Sequence, residues 1–174
     1  YPWSDGKFYV HAGSTNTVNA SLPGEDQWIN AVATRDASST KLYFNGSLAV
    51  TDTSSTIPST AGNSFRIGNY AQYSQDFLGN IDEVAIWDAT TLDGNNVSAI
   101  YNAGIPIDLS GNAGSYDQSS ALTHWYRFGD HASDTGSGGV ADGNTITNIE
   151  NAANPGTNDG STINGTPSFS TTVP

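Results

Sequence analysis

The sequence predicts an all-β fold, an antiparallel β-sandwich with one short helix near residues 93–102. Three observations carry this. Short apolar or alternating runs, separated by turn residues, fill the first hundred positions. Charged residues make up only 13% of the chain, about half the usual share of roughly 25%. The surface must therefore be covered by Ser, Thr, Asn and Gly, which favour turns and tolerate strands better than helices. Aromatics supply 10%, enough large side chains to fill a core. A length of 174 residues fits one domain.

The elements follow in order. Lys7–Ala12 is a short strand with Phe8 and Val10 on one face. Trp28–Thr34 alternates, with Trp28, Asn30, Val32 and Thr34 on one side and Ile29, Ala31 and Ala33 on the other. Lys41–Phe44 and Ser47–Val50 flank Asn45-Gly46. That dipeptide is a strong hairpin signal, because both residues accept the positive φ of a type I′ turn. Phe65–Ile67 and Phe77–Trp87 read as further strands. Asp93 is a fitting N-cap, and Val97, Ile100 and Tyr101 share one helical face. Gly104 suits a left-handed cap and Pro106 stops continuation. Residues 108–120 form a polar connector. Leu122–Phe128 is a strand containing Trp125 and Tyr126, and 129–165 is a Gly-, Asn- and Thr-rich loop region. Trp28, Trp87 and Trp125 are expected as core anchors. Strands with a single trailing helix indicate a sandwich and not a βαβ fold.

Charge narrows the function classes. Seventeen acidic residues face five basic ones, a net charge of −12. This repels phosphate backbones and anionic lipid, so nucleic acid is not an expected partner. No apolar run approaches ~18 residues, so membrane insertion is not expected. The acidity is compatible with divalent cations, but a soluble polar surface is the plainer reason for it. The chain has no Cys and no Met. Disulfides are therefore excluded, and the lack of oxidisable residues suits an exposed, oxygenated setting. Tyr1 is no initiator, so the chain is expected to be a fragment, a processed form or an ordered part of something longer.

Catalytic motifs are missing. His11, His124 and His131 show no ligand spacing, and there is no Gly-x-Ser-x-Gly elbow or phosphate loop. Sequons at Asn19, Asn45, Asn96 and Asn164 are expected by chance in so Asn- and Ser-rich a chain. Trp3, Tyr70, Tyr73 and Tyr116 lie in or near predicted loops. Their rings are candidates for stacking on sugars, or for ordinary packing under loops.

Several stretches, taken in sequence, carry a resemblance. They are Trp28–Arg35 (WINAVATR), Lys41–Gly46 (KLYFNG), Phe65–Gly68 (FRIG), Phe77–Asp88 (FLGNIDEVAIWD) and Leu92–Gly104 (LDGNNVSAIYNAG). In this order and spacing, over residues 7–104, they resemble the laminin-G-like branch of the concanavalin A-like lectin and glucanase superfamily. The resemblance implies a jelly-roll sandwich. It also implies that the family's first strands should precede Tyr1. Leu122–Asp130 (LTHWYRFGD), followed by Asn158-Asp159-Gly160, resembles the motif that usually opens such a domain, yet here it follows the closing helix. Such a trailing arrangement resembles modules of phage structural proteins and bacterial adhesins. The organisation expected is therefore 1–107 as the main jelly roll lacking its first strands, and 108–120 as linker. Residues 121–174 then complete the same sandwich or pack on a neighbour.

The resemblance implies that Asp82 stands where related glucanases hold a structural calcium, with Asp130 as a weaker second candidate. Strand alternation turns Asp82 inward with Val84 and Ile86. An inward carboxylate must be hydrogen-bonded, paired or on a metal, so calcium and a backbone-amide role both stay open. The glucanase acid–nucleophile pair is not present, because Asn80 stands two before Asp82, and Asp82 and Glu83 point to opposite faces. The expected function is a non-catalytic structural or adhesive module on an extracellular or virion surface, such as a phage tail fibre, capsid appendage or adhesin. Its expected partners are copies of itself, neighbouring structural subunits or surface glycans. The alternative is a carbohydrate-binding module of a secreted polysaccharide-active enzyme.

Overall fold

The computed structural model describes residues 5–12, 16–53, 67–70 and 75–128. It divides into two compact units: Tyr1–Leu78 with Thr91–Ile105, and Gly79–Thr90 with Pro106–Pro174.

The first unit starts with β1 (Lys7–Ala12) and β2 (Asn16–Ser21), an antiparallel hairpin that sets Phe8 opposite Ala20 and Val10 opposite Val18. A three-stranded antiparallel sheet follows, in the order β3 (Ala31–Arg35), β4 (Thr40–Phe44), β5 (Ser47–Asp52). The β4–β5 turn is the predicted Asn45-Gly46, with φ of 48° and 77°. The register shifts between Leu42 and Tyr43, which leaves Ala49 as an extra residue in β5.

Asn45 does more than turn. Its N–H donates to the Asn30 carbonyl at 2.9 Å, and its Oδ1 accepts the Asn30 N–H at 3.0 Å. The hairpin tip is thereby tied to the residue that leads into β3. A Cβ on Gly46 would stand 3.0 Å from the Tyr101 ring, so this glycine also makes room for the helix.

The core of this unit is Val18, Leu42 and Phe44, all buried. Phe8, Val10, Ala20, Leu22, Ile29 and Val50 pack against it, and the Phe8 ring meets Phe44 edge-on at 6.0 Å. The hairpin and the sheet thus bury apolar faces against each other, two β layers around one core. Each large side chain so buried contributes roughly 1.5–3 kcal/mol.

The helix forms where predicted, as α1 (Gly94–Tyr101). The Asp93 carboxylate accepts the N–H groups of Asn95 and Asn96 at 2.9 and 2.8 Å, and the Asn96 side chain accepts the Asp93 N–H in return. Val97 is fully buried. The helix closes at Asn102, left-handed at φ 42°, and Ala103 and Gly104 continue with positive φ. The predicted glycine cap is therefore left-handed, but the asparagine two residues earlier does the closing.

One expected strand is altered, and the one expected over Phe65–Ile67 lies mostly outside the described residues, at Phe65 and Arg66. The regular pairing nearby is β6 (Asn69–Tyr70) with β7 (Gln75–Asp76). Phe77–Trp87 is not one strand. Its ordered ladder is β8 (Val84–Trp87) alone, because Glu83 takes a left-handed φ of 52° and breaks the extended run.

In the second unit β8 pairs antiparallel with β9 (Leu122–Tyr126), setting Val84 opposite Tyr126 and Ala85 opposite Trp125. The stretch between them is more than a connector. Leu109 and Tyr116 are buried, and Ala113 and Tyr116 exchange two backbone hydrogen bonds at 2.9 Å. Thr90 Oγ1 donates to Gln118 Oε1 at 2.9 Å, and the Asp88 N–H donates to the Ala121 carbonyl at 3.0 Å. Of the three expected tryptophan anchors, Trp125 is buried, while Trp28 and Trp87 are half-buried.

Candidate functional site

A polar cluster that joins distant segments lies at the end of the β8–β9 pair. Glu83 stands just before β8, where its left-handed φ of 52° takes it out of the strand's alternation. Trp125 and Arg127 are two apart. The Glu83 Oε2 accepts the Trp125 Nε1–H at 2.7 Å, and its Oε1 accepts the Arg127 Nε–H at 3.0 Å. The Arg127 guanidinium carbon stands 5.1 Å from the Trp125 ring centre, a cation–π contact. The indole is 2% exposed, so its N–H needs an internal acceptor, which Glu83 supplies.

Trp87 grips at the other end. Its Nε1–H donates to the Tyr116 hydroxyl at 3.0 Å, and that hydroxyl donates to the Leu109 carbonyl at 3.0 Å. The two rings meet edge-on at 6.3 Å. Burial pushes the Tyr116 phenol above its ordinary pKa, as desolvation disfavours the phenolate. On the opposite face of β9, the His124 ring stacks on Tyr126 at 6.3 Å, and Tyr126 lies 6.4 Å from Phe128.

The predicted site residues do not gather here. Tyr116 is 0% exposed with its hydroxyl engaged, so it is an interior brace and offers no ring face to a sugar. Tyr70 lies in β6. Trp3, Tyr73 and Asp130 lie outside the described residues. Asp82 is half-buried, and its Oδ1 accepts the N–H of the next residue, Glu83, at 2.9 Å. No group of three His, Asp or Glu side chains surrounds a common point among the described residues. His124 lies in β9 beside Thr123, whose Oγ1 is 3.1 Å from its Nδ1.

Sequence reasoning passed over Glu83 and Arg127. A signal existed: Glu83, Ala85 and Trp87 recur at every second position, as do Trp125 and Arg127. What the sequence does not state is that positions 42 and 44 residues apart become neighbours.

No helix among the described residues is long and apolar enough to cross a membrane.

The antiparallel sheets define an all-β sandwich fold, and in its second unit the Glu83 carboxylate serves as a structural acceptor. A sequence model of the Concanavalin A-like lectin/glucanases superfamily, of laminin-G type, matches residues 2–98, more than half of the chain. The chain belongs to that superfamily. No curated protein matches it. Among solved structures, residues 221–444 of an S-layer domain-containing protein from Clostridium thermocellum match 55% of this chain at 22% identity, with a TM-score of 0.41. The match spans half the length of that structure.

Proposed function

We propose that this chain is a non-catalytic structural or adhesive module of an extracellular or virion surface, such as a phage tail fibre, capsid appendage or adhesin. There it mediates assembly with copies of itself or neighbouring subunits, or attachment to host glycans. The observation that carries this is the engagement of Glu83. The superfamily includes lectins and glucanases, so binding and hydrolysis must be told apart. Retaining hydrolysis needs two carboxyl groups ~5 Å apart, one to protonate and one to attack. Here both Glu83 oxygens are held by Trp125 and Arg127, and the adjacent Asp82 takes the Glu83 N–H. A carboxylate fixed in this way is a brace.

The second reading is a carbohydrate-binding module of a secreted polysaccharide-active enzyme, favoured by the lectin side of the superfamily. A glycan array read together with sedimentation separates the two. Self-association without glycan binding supports the structural role. Tight binding to one polysaccharide by a monomer replaces it with the binding module.

Calcium is part of the proposal, with Asp82 as a ligand and Asp130 as a second. Calcium added to chelated protein then raises Tm by mass action, and Asp82→Asn abolishes the rise. Equal melting with and without calcium removes the metal.

A further inference from the structure

We propose that Asn45 is a site of covalent modification: a deamidation site that the closed β4–β5 hairpin holds shut, and that converts one way to isoaspartate when the hairpin tip opens. This is independent of what the surface binds.

The chemistry belongs to the dipeptide Asn45-Gly46. Glycine has no Cβ, so its backbone nitrogen meets little hindrance in attacking the asparagine Cγ. The Gly46 N–Cγ bond forms and the Cγ–Nδ2 bond breaks. Ammonia leaves, carrying the proton of the Gly46 N–H. Water then opens the cyclic imide. Opening at Cγ gives aspartate. Opening at the Asn45 main-chain carbonyl gives isoaspartate, in which the chain runs through the side chain and gains one backbone atom.

The folded hairpin opposes the first step. The Asn45 Oδ1 accepts the Asn30 N–H at 3.0 Å, while the Asn45 N–H donates to the Asn30 carbonyl at 2.9 Å. The carboxamide is thus engaged by the residue that leads into β3. Swinging Cγ onto the Gly46 nitrogen takes the acceptor away from the Asn30 N–H, which is part-buried. Left-handed φ at both turn residues, 48° and 77°, fixes the tip around them. Attack therefore waits on local opening, and its rate follows the fraction of time the tip is open.

The same contacts make the change one way. Aspartate keeps an oxygen where Oδ1 stood, so the tie to Asn30 survives. Isoaspartate lengthens the turn at a place with no slack. A Cβ on Gly46 would already stand 3.0 Å from the Tyr101 ring and 3.4 Å from the Ser98 Cα, so α1 leaves no space for a longer tip.

The test incubates the full chain in mildly alkaline buffer with and without urea. Asparagine, aspartate and isoaspartate at position 45 are then quantified by peptide mass spectrometry. Asn45 is expected to convert at least about tenfold more slowly in buffer than in urea. Equal rates, in protein whose circular dichroism in buffer is native, overturn the proposal. The isoaspartate form made in urea and returned to buffer is expected to melt below Asn45→Asp, or to stay unfolded. An isoaspartate form that refolds and melts with Asn45→Asp overturns the one-way change.

Discussion

Asp36 shows how much one residue of a polar chain can organise. Its carboxylate accepts the Ser38 and Ser39 N–H groups at 2.7 Å and both serine hydroxyls, which shapes the β3–β4 turn. These bonds, led by the Ser38 N–H, hold its pKa at about 2, against an ordinary 3.8. The unfolded carboxyl therefore takes up its proton first as pH falls. The stabilisation is present above about pH 4 and is lost as pH drops towards 2. Asp36→Asn is expected to flatten the pH dependence of the denaturation midpoint across that window, while an unchanged slope would show that the turn contributes nothing. Tyr116 is the buried counterpart. Tyr116→Phe leaves the Trp87 N–H and the Leu109 carbonyl without their partner, and unpaired buried groups cost roughly 1–3 kcal/mol. Urea denaturation measures it, and a change below experimental error would contradict the bracing role. Asn45-Gly46 was legible in the sequence because turn chemistry is local. Tyr116 was not, because its partners Trp87 and Leu109 decide whether it lies inside or outside.

At the scale of elements, the helix was read closely. Asp93 as cap and Val97 as the buried face follow from a spacing that no distant residue alters. Asp93→Ala removes the acceptor for two helix N–H groups and is expected to cost about 1 kcal/mol. A thermal melt checks this, and Asp93→Asn, which keeps an acceptor, should lose less. The strands were read less well, for reasons that differ. Asn16–Ser21 is polar apart from Val18 and Ala20, so nothing in its pattern announces a strand. Its order comes from pairing with β1 and from Val18 entering the core. The single strand expected over Phe77–Trp87 failed at one position, since alternation does not reveal that Glu83 turns left-handed. The polar stretch before β9 concealed two anchors, Leu109 and Tyr116, among exposed Gly, Asn and Ser.

For the whole molecule, the laminin-G-like resemblance over residues 7–104 and the matched range 2–98 agree on where the superfamily's motifs lie. The trailing Trp-Tyr-Arg-Phe segment is a different matter. Its likeness to an opening strand was visible in the sequence. Its pairing with β8 was not, since register between distant segments is set by faces and partners that a linear pattern does not state. That pairing gives Glu83 its structural work and underlies the claim that this sandwich binds or builds without hydrolysing. The most direct measurement incubates the purified chain with a panel of polysaccharides and follows release of reducing ends, beside the Glu83→Gln variant. The account predicts no release above buffer for either protein. Release by the wild type that Glu83→Gln abolishes would contradict it, because Glu83 would then be acting on substrate and not on Trp125 and Arg127.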